Sequence, residues 1–365
     1  MAKYLVVDAS SIRVGGAVNV LSDFLFNFNK FLPDETIKPI LILNPSVKSL
    51  GFASLYPNFD VYYFSFSLSY FFRRFLRNSP NYLPDNYFLF VLGAPSYINH
   101  RYASFKVIRL TAPWVISFNF HAFNVVGFNS WFRSVTKGFV KSLFCYGYNI
   151  YISQTQSALN LIANRFGSDS KLVLVPNIPN HLSELTVSKK KSNFFCALPG
   201  TPYPHKNMMT VLRALLSFNM RSSTPIYLRV MWDVNNPLSH PLLDFVSKHN
   251  ISQYIENWGY VVQSDLSKFY DGCSCVVLPS VVEVSSASLV EASVLQLPTI
   301  FAESPVNLAL IDSGGLSFSP TDINKLTDHF HTCLNFPDKI PPVVLNTFSN
   351  KNLSSVIFNL AKSFS

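Results

Sequence analysis

The sequence predicts an α/β protein of two doubly wound parallel sheets, each with helices on both faces, facing each other across a cleft. Three observations predict it. The chain has 365 residues, 48% of them hydrophobic, which suits two domains of roughly 150–200 residues better than one. Short apolar runs alternate with amphipathic stretches from end to end, the pattern of strands laid parallel by crossover helices. A polar run from Val187 to Asn193, with Lys189, Lys190 and Lys191 inside it, divides that alternation into two series.

In chain order, Tyr4–Val7 reads as a strand, followed by a loop through Ser10, Ser11, Gly15 and Gly16. The next stretch repeats Leu21, Phe24, Leu25 and Phe28 at helical spacing. Val91–Leu92, Val107–Leu110, Ile150–Ser153 and Leu172–Val175 read as further strands, and Pro176-Asn177 ends the last. After the lysine run, which reads as a solvated hinge, Phe194–Leu198 is a strand and Met208–Leu216 a helix. Ile226–Met231, Val276–Leu278 and Thr299–Phe301 are strands, Leu289–Leu295 is a helix, and Asn350–Lys362 is a terminal helix. The expected domains are residues 1–180 and 190–345. Residues 346–365 form a helix able to cross back to the first.

Charge narrows the partners. Residues 1–180 carry 16 Lys and Arg against 7 Asp and Glu, and residues 181–365 carry 13 of each, so the first half holds the whole +9 excess. Such asymmetry points to a polyanion or an anionic membrane surface. Nucleic acid is not expected, because no zinc spacing, helix-turn-helix signature or aromatic RNA-binding motif occurs. The five cysteines include no Cys-x-x-Cys and read as reduced thiols of a cytoplasmic protein. No signal peptide is expected, since Asp8 cuts short the apolar stretch Tyr4–Val7. No apolar run reaches the ~18 residues of a spanning helix.

Three constellations can carry chemistry. Glu283 and Glu291 stand eight positions apart across the start of a helix, with Ser285, Ser286 and Ser288 as capping candidates around Ala287. The free amides of a first helical turn attract anions. A carboxylate accepts two hydrogen bonds from a vicinal diol, as acidic residues do with ribose in dinucleotide folds. An ordinary capped helix with an exposed glutamate has the same spacing. Next, the proline-rich loop Pro199–Asn207 puts Lys206 at a helix entrance, where a cation opposes the helix dipole unless both bind one anion. A lysine turned into solvent also fits, and His205 reads as a loop or capping residue. Last, Gly15 and Gly16 after the first strand let a backbone approach a phosphate or sugar, or simply make a turn.

Taken together, these residues resemble retaining glycosyltransferase family 4. The glutamate–seven–glutamate motif is similar to Glu283–Glu291. Ala292–Ile300 resembles the segment that follows it, Lys206 the phosphate-binding lysine, and Val175-Pro176-Asn177 the hinge tripeptide. Trp258–Val261 resembles the nucleobase loop, and Gly314–Leu316 with Pro320–Asp322 a late glycine-to-aspartate stretch. The first half is similar only through Asp8–Gly16 and Tyr151–Ser153. The resemblance implies the GT-B fold of two Rossmann-like domains and a hexosyltransferase that keeps anomeric configuration without a metal or cofactor. It implies that Lys206 neutralises the leaving diphosphate and Glu291 holds the donor ribose. Glu283 and the amides of Ser285, Ser286, Ala287 and Ser288 would hold the transferred sugar and its phosphates. Gly15 and Gly16 would close over the donor, Gly259 and Val261 would line the base pocket, and His121 is a candidate for the donor-sugar pocket, against a packing or surface histidine. The sequence departs at Thr201, where the family often has arginine, so the diphosphate lacks one cation. It departs also at Val284, Ser286 and Leu297, where glycines are usual.

His329 and His331 form a close histidine pair, but their spacing sends the rings to different helix faces, and both read as surface. Aromatic and basic residues interleave from Tyr62 to Arg77 and from Trp131 to Phe144. Such helices suit either a membrane interface or a core with a solvated basic face. The expected partners are a nucleotide-sugar donor and a glycan or lipid-linked acceptor. The expected place is the cytoplasm, at the inner face of the membrane, in polysaccharide or lipopolysaccharide assembly. Two alternatives stay open: a nucleotide-sugar-binding subunit without turnover, and a sugar-nucleotide epimerase.

Overall fold

The computed structural model describes residues 3–13, 16–32, 36–65, 81–93, 95–167, 170–176, 187, 194–336, 339–346 and 352–364. Gly15, Asn177, Lys189–Lys191 and most of the Tyr62–Arg77 segment lie outside the described residues. The chain divides into two compact units. One comprises Met1–Phe118, Ser134–Asn177 and Ser349–Ser365; the other comprises Asn119–Arg133 and Ile178–Phe348.

The first unit is built on strands β1 (Lys3–Ala9), β2 (Ile37–Leu43), β3 (Asp60–Tyr63), β4 (Tyr87–Leu92), β5 (Ala103–Arg109), β6 (Ile150–Ser153) and β7 (Lys171–Leu174). All neighbours pair parallel, in the order β3-β2-β1-β4-β5-β6-β7. β4 reads YFLFVL and is buried throughout, as a central strand covered on both faces must be. Helix α1 (Gly16–Asn29) buries Leu21, Phe24, Leu25 and Phe28, the four residues its spacing singles out.

Helix α2 (Phe128–Ser142) is long and basic, with Gly138 in its middle. A Cβ at Gly138 would lie 2.0 Å from the Trp114 carbonyl oxygen, so only glycine lets the helix pack this closely. Helix α3 (Gln156–Phe166) is capped by Thr155, whose side chain accepts from Ala158 N.

The second unit repeats the plan with β8 (Phe195–Leu198), β9 (Tyr227–Val230), β10 (Ile255–Asn257), β11 (Cys275–Leu278), β12 (Thr299–Ala302) and, beyond the short β13 (Ile311–Ser313), β14 (Leu316–Phe318). The sheet runs β10-β9-β8-β11-β12-β14, again parallel. One face buries Val211, Leu215 and Phe218 of α4 (Met208–Asn219) against Leu228 and Val277. Helix α5 (His240–Lys248) adds Leu242 and Val246 to the same face. The other face packs Phe269 and Tyr270 of α6 (Leu266–Tyr270) and Leu289 of α7 (Ala287–Val294) on Val276 and Leu278.

Helix α8 (Ile323–Asn335) corrects one expectation. His331 is exposed, but His329 is buried, with Nε2 2.7 Å from the Ser317 carbonyl oxygen. Leu326, Phe330 and Cys333 mark the inner face of this helix, and His329 falls on it.

Helix α9 (Leu353–Ser363) belongs to the first unit. Its Ile357, Phe358 and Ala361 enter that core, Ser354 Oγ donates to Phe24 O at 3.0 Å, and Phe358 meets Phe28 edge-on at 6.0 Å. Burial of each large apolar side chain contributes about 1.5–3 kcal/mol, enough to hold an 11-residue helix in place.

Candidate functional site

In the second unit the strand order reverses between β8 and β11. The loops leaving those two strands therefore splay to opposite sides and open a crevice, where doubly wound sheets bind ligands. The loop after β8 carries Lys206 and the loop after β11 carries Glu283. Lys206 Nζ donates to Glu283 Oε1 at 2.5 Å, with both side chains largely shielded. The two loops are also joined through the backbone, Val281 N donating to His205 O at 2.9 Å.

Local sequence explains how Lys206 is held. Pro204 opens a single 3₁₀ turn that ends at Lys206, and Asn207, at φ 52°, turns the chain into α4. Asn207 suits that left-handed conformation, and its side chain donates to Pro320 O at 2.8 Å while accepting from Thr210 Oγ1. Lys206 thus stands just before a helix N-terminus, and Glu283 offsets the unfavourable dipole there. His205 beside it is pushed down to a pKa of about 4 by burial, against the opposing pull of Glu283, and stays neutral near pH 7.

Helix α7 begins in the same crevice. Ser286 caps it, accepting from Leu289 N, and Ala287 is its first residue. The serine that departs from the expected glycine thus fixes the helix start. Ser285 and Ser288 are half-buried around it. Glu291 lies 6% exposed in the second turn, and Tyr270 OH donates to its Oε2 at 2.7 Å. Among the described residues its Oε1 makes no hydrogen bond. Burial raises the Glu291 pKa, while Tyr270 and the charge of Lys206 pull it back. Lys206 therefore acts on both carboxylates, one by contact and one through space. A cation, a row of helical amides and a carboxylate oxygen open to a diol are the groups that hold a nucleoside diphosphate.

The other expected residues fall as follows. Gly259, at φ 67°, turns the chain after β10, and Val261 leans on the core beneath α6. Trp258 in that loop is backed by Arg229, whose guanidinium lies 5.1 Å from the Trp258 ring and 5.2 Å from the Phe195 ring. Glu256 joins them, accepting from Arg229 Nε at 3.0 Å and from Trp258 Nε1 at 2.9 Å. His121 Nε2 lies 2.8 Å from the Val281 carbonyl oxygen, which places it on the Glu283 loop. Gly16 opens α1 in the first unit, where a Cβ would meet nothing within 4 Å.

Sequence reading missed Tyr270, Asn207 and Arg229. Only the left-handed turn gave a local cue, an asparagine just before a helix. An apolar groove of about 270 Å³ also borders the Lys206 loop, lined by Val125, Val126, Pro202, Tyr203, Met209 and Leu238 among others.

Comparison with known proteins supports the fold. Residues 186–339 match the model of the family described as glycosyl transferases group 1. None of the curated proteins matches the chain. Among solved structures, Anabaena Alr3699/HepE in complex with UDP and glucose is similar at 14% identity and a TM-score of 0.63, covering 93% of this chain and 91% of that one. Sucrose-phosphate synthase from Thermosynechococcus elongatus is similar at 11% identity and 0.61, covering 92% and 90%. The lipopolysaccharide outer core galactosyltransferase WaaB, in its apo form, is similar at 15% identity and 0.59, over 99% of both chains. Residues 186–339 thus resemble glycosyl transferases group 1 by sequence, and over nearly all its length the chain has the fold of these solved structures, GT-B.

Proposed function

We propose that the protein transfers a hexosyl group from a nucleoside diphosphate sugar to a glycan or lipid-linked acceptor, with retention of anomeric configuration and without a metal. The observation that carries this reading is the meeting of Lys206, Glu283 and Glu291 where the β8 and β11 loops part. Cleavage of the sugar–phosphate bond puts negative charge on the diphosphate and positive charge on the anomeric carbon. Lys206 and the first amides of α7 are fixed in advance to receive the former, which is the larger part of such catalysis. Glu291 Oε1 takes the ribose hydroxyls. Glu283 orients Lys206 and, with Ser285 and Ser288, lines the place of the transferred sugar; His121 supports the Glu283 loop. Gly259 and Val261 line the base pocket. The acceptor hydroxyl attacks from the face the phosphate leaves, and the departing phosphate takes its proton, so no glycosidase-like carboxylate pair is required.

In this reading the first unit receives the acceptor. Phe120 and Phe128 of the second unit are 68% and 59% exposed, and Phe123 and Phe132 lie in ring contact with their neighbours beside them. An exposed aromatic cluster of this kind suits a membrane interface. Among the described residues no helix is long and apolar enough to cross a membrane. That surface supports peripheral contact with the inner face of the membrane, and with it our reading of a role in cell-surface polysaccharide assembly.

The complex of Anabaena HepE with UDP-glucose makes UDP-sugars the first donors to test. A donor at a hundred times its Kd stabilises the folded state by about 2.7 kcal/mol, and Lys206→Ala is expected to remove that stabilisation. A Lys206→Ala protein that UDP-sugar stabilises as it does the parent refutes the site. Release of UDP only when acceptor is added distinguishes transfer from binding without turnover, and donor conversion without acceptor marks an epimerase.

A further inference from the structure

The first unit has a switch point of its own. Its strand order reverses between β1 and β4, so the segments that follow them, Ser10–Arg13 and Gly93–His100, border one crevice. They are firmly tied. Ser11 Oγ donates to Gly93 O at 2.6 Å, Ser10 N donates to Asp8 Oδ1 at 2.9 Å, and Ser96 Oγ donates to Asp8 Oδ2. Asp8 is buried, yet His100, Ser10 and Ser96 outweigh the burial and hold its carboxyl below the usual range. Its charge is thus satisfied inside the frame. The end of α2 closes the third side, where Phe144 meets Tyr97 at 5.9 Å.

Three cations border this frame. Arg13 is exposed on the β1 loop, and Lys137 and Lys141 stand one turn apart on α2. Lys141 is held below its ordinary pKa by burial, by Lys137 and by Arg13, so it lies within the fields of the other two. Among the described residues none of them forms an ion pair. Nor does the local sequence supply a counter-charge: from Asp85 to Asp169 there is no Asp or Glu, against seven Lys and Arg. Like charges held together cost energy that a bound anion reverses.

We propose that Arg13, Lys137 and Lys141 form a phosphate site at the β1/β4 switch point, which grips the phosphoryl group of an anionic acceptor. The identity of the occupant rests on the transferase reading above; the anion site itself does not. The test is binding of inorganic pyrophosphate at low salt with UDP saturating, which keeps the Lys206 site filled. Arg13→Gln and Lys141→Gln are each expected to weaken pyrophosphate roughly fivefold to tenfold, and Lys141→Arg to bind near the parent level. UDP-induced stabilisation is expected to be unchanged in all three, which also shows that they fold. A second arm measures sedimentation with vesicles of equal parts phosphatidylglycerol and phosphatidylcholine. Loss of vesicle binding in these variants, with no pyrophosphate binding by the parent, overturns the site in favour of a diffuse headgroup surface. Displacement of all pyrophosphate by UDP, or parent-like pyrophosphate binding by both Gln variants, also overturns it. Pyrophosphate binding at the three cations in a chain that fails to bind UDP supports the anion site and sinks the transferase reading.

Discussion

Replacing Glu291 with Gln separates a ribose-binding role from a structural one, because the two respond in opposite directions. Glu291 is 6% exposed, and among the described residues its one hydrogen bond comes from Tyr270 OH at 2.7 Å. Burial raises its pKa against the pull of Tyr270 and Lys206, so the folded protein holds this charge at a cost. Gln keeps the length, keeps an oxygen for Tyr270 and carries no charge. Stability without ligand is therefore expected to stay within about 1 kcal/mol of the parent or to rise. Donor affinity moves the other way. With its oxygen on Tyr270, Gln turns its NH2 toward the diol, so a hydrogen bond to a charged acceptor, about 1.5–3 kcal/mol, gives way to one in which the diol must accept, about 1 kcal/mol. A diol held by two such bonds then loses about 2 kcal/mol, which is roughly thirtyfold in Kd. Denaturant unfolding without ligand and calorimetric titration with UDP measure the two quantities. A Gln variant that loses more than about 2 kcal/mol of stability while binding UDP like the parent refutes the reasoning.

Three further outcomes are expected. Tyr270→Phe leaves the buried Glu291 carboxylate without its donor and is expected to lose about 1.5–3 kcal/mol, read as a lower urea midpoint at pH 7. Gly138→Ala sets a Cβ 2.0 Å from Trp114 O; despite the better helix propensity of Ala, it is expected to destabilise by about 1–3 kcal/mol, read in the same assay. His205, with its pKa near 4 in the folded chain against 6.5 when free, contributes stability that is present above pH 6.5. That stability is lost as pH falls toward 4, by up to about 3 kcal/mol. His205→Phe is expected to flatten that part of the stability–pH curve.

Much of this architecture was legible because strands buried on both faces are spelled as unbroken apolar runs. Ile150–Ser153 forms a strand with the bounds its sequence suggests, and the four apolar residues of α1 are the four it buries. β2 was not legible: it carries Pro39 and pairs with strands on both sides, a position where proline argues against a strand. His329 was misread because periodicity locates a helix face only once the partner face is known. In the site, Lys206 and Glu291 each stand at a strand–helix junction, where capping residues and charge give a local signal. Tyr270 carries no such signal, since its link to Glu291 runs between two helices that sequence does not place side by side.

The contrast between the two switch points follows from topology, which sequence spacing does not express. Both sheets reverse their order after the first strand of their unit, so each gathers two loops that are remote in the chain. In the second unit those loops bring a cation and a carboxylate together, and Lys206 is already countered by Glu283. An anion arriving there must share the lysine with Glu283, so its affinity depends on geometry and on the amides of α7 more than on net charge. In the first unit the buried carboxylate is satisfied by His100 and two serines, and among the described residues the three exposed cations form no ion pair. Anion binding there is expected to fall steeply with ionic strength, because exposed charges are screened within about 8 Å at physiological salt. Binding of UDP is expected to fall far less. A common salt dependence for UDP and pyrophosphate would mean that the same cations bind both, and would contradict the division of labour between the two units.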